Sequence, residues 1–115
     1  MSNSILTSIK KLCNLGEEYT PFDQDIIIHI NTAFSVLNQL GAGPEGGYRI
    51  KDASNEWSEF IPEDCMLLEM VKDFIYIKCR LIFDPPASSS IAQVLKDEMK
   101  ELESRILYVC DSKST

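Results

Sequence analysis

The sequence predicts an all-α domain of four helices, at about residues 4–13, 21–40, 63–83 and 90–109, with a small hairpin or loop inserted at about 47–60. Three observations lead there. Apolar residues recur at helical spacing in four separate stretches, where strands would alternate. Helix stop signals divide those stretches, notably Gly41 with Pro44 and the pair Pro85–Pro86. The 115 residues are 44% hydrophobic and 25% charged, a balance that suits one globular domain over residues 1–115.

Ser2 or Ser4 is placed to cap the first helix, whose stripe is Ile5, Leu6, Ile9 and Leu12, and Gly16 is expected to end it. In "TPFD", Thr20 suits the N-cap, Pro21 the first helical position, and Asp23 and Asp25 the positive end of the helix dipole. Ile26, Ile30, Ala33, Phe34, Leu37 and Leu40 then share one face until Gly41. Tyr48–Lys51 alternates apolar and polar as a short strand does, and "EWSEF" reads as a return strand or a single helical turn. A lone hairpin is marginal in water, so it must lean on the helices, on a neighbouring subunit, or on both.

The third helix is expected to open at Pro62, with Glu63 and Asp64 in its first turn. Its stripe is Leu67, Met70, Val71, Phe74, Ile75, Leu81 and Ile82, which makes the run "FIYIKCRLIF" part of a central helix. That run is too short for a membrane span and carries Lys78 and Arg80. Asp84 precedes Pro85–Pro86, so the ladder cannot continue. Ser88 to Ser90 offers several N-caps for the fourth helix, and "SIAQ" from Ser90 matches a capping box, with Ile91, Leu95, Leu102, Ile106 and Val109 on its stripe and a frayed polar tail after it.

Composition excludes several functions. A net charge of −7 disfavours coating of nucleic acid, because like charges repel. Cys13, Cys65, Cys79 and Cys110 form no CxxC pair, and His29 is the single histidine, so no zinc site is expected. Residues 1–12 hold no continuous apolar stretch of the kind a signal peptide needs, which suggests a reducing, intracellular setting with free, buried thiols.

No residues are expected to act as a catalytic, cofactor-binding or metal site. His29 reads as a boundary histidine. Asp97, Glu98, Glu101 and Glu103 could together hold a divalent metal, as in a small all-α metal-dependent nucleotide hydrolase, but they alternate with Lys96, Lys100 and Arg105 as a solvated face does. Gly43, Gly46 and Gly47 follow a helix and lack a P-loop lysine. Lys78 and Arg80 are expected to snorkel, to pair with a carboxylate such as Asp84, or to bridge subunits. Trp57 and Phe60 read either as exposed interface anchors or as a cap on the helical core. A generic helical adaptor remains an open reading.

The pattern as a whole resembles the head–tail connector (adaptor) proteins of long-tailed phages, of the type carried by phages and prophages of Gram-positive bacteria. The resemblance rests on "DIIIHINTAFSVLNQLGAGPEGGYRI", on Trp57 and Phe60, and on "VKDFIYIKCRLIFDPPASS" followed by "ELESRI", and spans about residues 2–108. It implies an all-α structural subunit that assembles with copies of itself into a ring below the portal protein. The ring would extend the DNA channel without sequence-specific binding, meet the next neck or tail-completion protein, and sit in the virion neck after assembly in the host cytoplasm. It implies no enzyme activity, cofactor or membrane. It further implies a portal contact in the C-terminal helix, carried over to Glu101, Arg105 and Tyr108. In such a ring, Tyr48, Ile50, Trp57, Phe60, Lys78 and Arg80 are the expected subunit interface. The acids Glu45, Asp52, Glu56 and Glu59 are expected to face the channel, where few cations would let DNA slide.

Overall fold

A computed structural model describes residues 3–16, 18–63 and 65–114, with side chains described as far as Asp111. The described residues form five helices and no strand: α1 (Ile5–Leu12), α2 (Asp23–Leu40), the single turn α3 (Trp57–Phe60), α4 (Met66–Phe83) and α5 (Ser89–Ser114). The four long helices are the ones the periodicity predicts. The alternative cap Ser2 and the first-turn Asp64 lie outside the described residues.

Ser4 caps α1 by accepting a hydrogen bond from Thr7 N–H at 3.2 Å. Asn14, not Gly16, terminates it. Asn14 is left-handed (φ 63°), which lets Leu15 N–H donate to Lys10 C=O at 2.8 Å and Asn14 N–H to Lys11 C=O at 3.2 Å. These two bonds close the last turn in a Schellman arrangement. α2 starts two residues later than "TPFD" suggests. Thr20 contributes its backbone carbonyl to a turn closed by Asp23 N–H (3.1 Å), and Phe22 is the N-cap with no side-chain bond. Asp23 instead reaches Lys10, their charges 2.9 Å apart. Lys10 is only 2% exposed, whereas Leu12, expected in the core, is 50% exposed. α2 ends as expected at Gly41, whose φ of 94° is left-handed.

No hairpin forms in residues 48–60. Residues 48–50 lie against α2, where the Asn31 side chain takes the place of a partner strand for Ile50. Its Nδ2 donates to Ile50 C=O at 3.0 Å, and its Oδ1 accepts from Ile50 N–H at 2.7 Å. Of the two readings of "EWSEF", the single helical turn is the one that forms, as α3, and the backbone before it pairs with the entry to α1. Ile5 N–H donates to Asn55 C=O (3.0 Å) and Trp57 N–H to Asn3 C=O (3.1 Å), around an isolated antiparallel bridge between Ser4 and Glu56.

α4 begins at Met66 rather than residue 63, because Ile61 at the end of α3 is extended and buried. α4 packs against α5, α2 and α1, and buries Val71, Phe74, Ile75, Ile77 and Cys79. It stops at Asp84, ahead of the prolines. Of the N-caps that Ser88 to Ser90 offers, Ser88 is the one used: its Oγ accepts from Ser90 N–H (3.2 Å) and Ile91 N–H (3.4 Å), and the Ser90–Gln93 capping box does not form, because Gln93 donates to Asp97. α5 continues to Ser114, through the tail expected to fray. At 1.5 Å per residue its 26 residues span about 39 Å, close to the molecule's 42 Å longest dimension.

Candidate interaction surfaces

The connection between α2 and α4 closes one end of the core. Gly43 (φ 86°) lies against the Phe60 ring, so the chain can approach there only without a side chain. Phe60 meets Phe34 in a tilted contact with centroids 4.6 Å apart, and Tyr48 meets Phe34 at 5.1 Å and Phe60 at 5.7 Å. Trp57 Nε1 donates to Ser8 Oγ at 3.3 Å, and Lys72 Nζ lies 5.6 Å from the indole centroid. Ile50, Trp57 and Phe60 are thus buried inside the molecule, the core-capping arrangement, and Tyr48 is half-buried.

A polar web holds the outside of this connection. Glu59 Oε1 accepts from Tyr48 Oη (3.0 Å) and Asn55 Nδ2 (3.1 Å), and Oε2 accepts from Glu56 N–H (3.0 Å), completing a capping box with Glu56 on α3. These bonds, Asn55's first, hold the Glu59 carboxyl below its ordinary value. Ser54 does the same for Asp52 through its hydroxyl and backbone N–H. Burial, then the Glu59 carboxylate, pushes Tyr48 up to about 12. Glu45, Asp52, Glu56 and Glu59 are all exposed on this one connection. The result is an exposed, mainly acidic rim in which hydrogen bonds fix Asp52 and Glu59 and which Arg49 and Lys51 share.

Lys78 and Arg80 are half-buried on α4. Arg80 does not take the expected carboxylate: Nη1 donates to Tyr76 Oη (3.1 Å) and Nε to Asp84 C=O (3.4 Å), while the Asp84 carboxylate accepts from Asn14 Nδ2 (3.0 Å). Burial pushes Cys13 up to about 11 and Cys79 up to about 12, so both stay protonated and inert as nucleophiles. His29 is half-buried, edge-on to Phe83 with ring centroids 5.5 Å apart.

Glu101, Arg105 and Tyr108 are exposed on α5, Tyr108 at 74%. Among the described residues the ion pairs are Lys10–Asp23 and Lys72–Glu69, so Glu101 and Arg105 do not pair as their spacing suggests. No group of three or more His, Cys, Asp or Glu side chains among the described residues is arranged to hold a metal, so Asp97, Glu98, Glu101 and Glu103 do not converge. Periodicity assigned Ile91 and Ile82 to the core, yet they are 53% and 46% exposed, and Met66 and Val94 are exposed too. Those residues flank the α4–α5 pair. Two depressions lie between α4 and α5, one lined by Met66, Met70, Arg105, Tyr108 and Val109 and the other by Met66, Glu69, Lys72, Asp73, Glu98 and Arg105.

A family model described as phage connector protein matches residues 5–113, from the first residue of α1 into the last turn of α5. The chain belongs to the phage connector protein family. No curated protein and no solved structure matches it. As a connector it is a structural component of the phage neck that works by contact with other head and tail proteins. Among its described residues no helix is long and apolar enough to cross a membrane.

Proposed function

We propose that this connector closes into a homo-oligomeric ring below the portal, extends the DNA channel and joins head to tail during virion assembly in the host cytoplasm. The observation that carries the reading is the family match across residues 5–113, every helix included. The acidic rim supports the channel assignment: Glu45, Asp52, Glu56 and Glu59 are exposed together, and Asp52 and Glu59 are held ionised. A bore lined by them offers passing phosphates no cation to hold.

A closed ring needs two different patches that meet head to tail. Tyr48, Lys78 and Arg80 reach the surface and act directly in this reading. Ile50, Trp57 and Phe60 shape the first patch from within. Glu101, Arg105 and Tyr108 face the portal. A cryo-electron microscopy reconstruction of the neck tests the assignment. The expected map puts the 45–59 acids on the bore, and a bore lined by Lys and Arg overturns it. Rings that form normally from a Tyr48→Ala, Arg80→Ala variant would remove those two residues from the interface.

A further inference from the structure

Two of the four cysteines meet where the start of α4 passes the end of α5. The two helices are joined by the short turn at residues 84–88 and lie antiparallel. Met66 and Met70 share one depression with Arg105, Tyr108 and Val109, and Asp73 shares the next with Glu98 and Leu102, so numbers rise along one helix as they fall along the other. That register sets residue 65, the N-cap of α4, level with residues 109 and 110. A third depression, of about 470 Å³, agrees with it: Cys65 and Cys110 both line it, together with Gly41, Phe60 and Leu67.

The two thiols differ in access. Cys110 is buried and pressed against the end of α2, its Cβ 3.2 Å from where a Cβ on Gly41 would stand. Cys65 packs on the same core but is half-buried, and the other three cysteines are buried. A reagent therefore reaches Cys65 first, with Cys110 behind it, whereas Cys13 and Cys79 offer no such entry. A disulfide needs its Cβ atoms within about 4.5 Å, and side chains at one level of two packed helices can meet that condition.

We infer that Cys65 and Cys110 form a redox pair, which a low-molecular-weight disulfide converts into an intramolecular cross-link. The Cys65 thiolate attacks one sulfur of that disulfide, forms a mixed disulfide and expels one small thiolate. The Cys110 sulfur then attacks the Cys65 sulfur, forms the Cys65–Cys110 bond and expels the second small thiolate. The protein loses two electrons and two protons, and the small disulfide gains them as two thiols. The bond ties the turn of α5 that carries Arg105 and Tyr108 to the start of α4. The pair itself stands on geometry alone. Its timing rests on the reading that the connector assembles in the host cytoplasm, where thiols stay reduced, so the bond closes once the particle is outside.

The test incubates the full chain with glutathione disulfide at about pH 8, then unfolds it in acid, alkylates the remaining thiols and maps the peptides by mass. The expected product is a monomer in which the Cys65 and Cys110 peptides are joined and Cys13 and Cys79 are alkylated. It should melt roughly 10 °C above the reduced chain and return on reduction. Cys65→Ser should give no cross-link, and Cys110→Ser should stop at the mixed disulfide on Cys65. A parent chain that keeps glutathione on Cys65, links Cys65 to a second copy, or oxidises through Cys13 or Cys79 overturns the inference. Cys65 lies at a half-buried position, so Cys65→Ser and the parent decide the matter even if Cys110→Ser does not fold. The assay needs neither ring nor portal, so its failure leaves the ring reading standing, and a chain that forms no ring still reports on the pair.

Discussion

Replacing Gly43 with alanine should destabilise the connector by about 2–5 kcal/mol. Two separable effects produce that figure. The backbone at Gly43 has φ of 86°, a region that costs an L-residue about 1–2 kcal/mol. A Cβ there would also collide with Phe60 Cε1 and lie 2.7 Å from Cζ and 2.8 Å from Cδ1. The ring cannot retreat, because Phe60 is 3% exposed and wedged between Phe34 and Tyr48. Overpacking of this kind costs about 1–3 kcal/mol. Gly46→Ala isolates the first effect: its φ is 93°, but nothing lies within 4 Å of the new Cβ. In thermal unfolding followed by circular dichroism, a domain of 115 residues shifts by about 4 °C per kcal/mol. Gly43→Ala should therefore melt about 8–20 °C below the parent and Gly46→Ala about 4–8 °C below. Adding Phe60→Leu to Gly43→Ala should make the two changes less than additive, since each relieves or removes the same contact. A Gly43→Ala protein that melts no lower than Gly46→Ala would refute the packing described for this end of the core.

Other perturbations follow from the same geometry. Asn31→Ala removes both bonds to the buried Ile50 backbone, which should cost about 2–4 kcal/mol in the denaturant midpoint, and Asn31→Asp should not restore it because a carboxylate has no N–H for Ile50 C=O. A loss under about 1 kcal/mol would show that Asn31 does not carry the strand's role. Lys10→Met leaves the Asp23 carboxylate facing a buried apolar side chain and should cost about 2–3 kcal/mol, discounted for Asp23's partial exposure, with Lys10→Met, Asp23→Asn recovering part of it by urea titration. Full additivity of the two changes would deny the coupling. The Glu59 pKa is lower folded than its ordinary value of 4.5, so its stabilisation is present above that value and lost as pH falls through the folded pKa. The parent should therefore exceed Glu59→Gln in melting temperature above about pH 5, with the gap closing below about pH 4. A gap that widens on acidification would contradict that sign.

Much of the fold is legible in the sequence because α2 and α4 carry long apolar stripes between strong stops. Gly41 and Pro85–Pro86 end those helices where their backbone chemistry dictates. Helix starts are less legible. Thr20, Pro62 and Ser90 each suit a helix start, but tertiary partners claim the neighbourhood: Lys10 takes Asp23, buried Ile61 holds the chain extended before α4, and Ser88 reaches the α5 amides first. The expected hairpin fails for a related reason, since alternation in Tyr48–Lys51 announces an extended segment but not its partner, which is the side chain of Asn31. Leu12, Ile82 and Ile91 fall on the apolar stripes yet are exposed, because they lie near helix ends where a stripe can run past the neighbouring element. Lys10 gives no sequence signal of burial, because its partner is thirteen residues away across a turn. At the candidate surfaces, the exposed acids and Tyr108 are readable from their polarity and position, whereas burial of Trp57 and Phe60 depends on how the connection folds back.

The most direct test of the central claim is the mass of the purified chain in solution, measured by native mass spectrometry alone and with portal protein. Assembly as a structural connector predicts one discrete closed oligomer of the chain on the portal, independent of added metal or nucleotide. A chain that stays monomeric beside the portal at every concentration, or joins it with no fixed stoichiometry, would contradict the account.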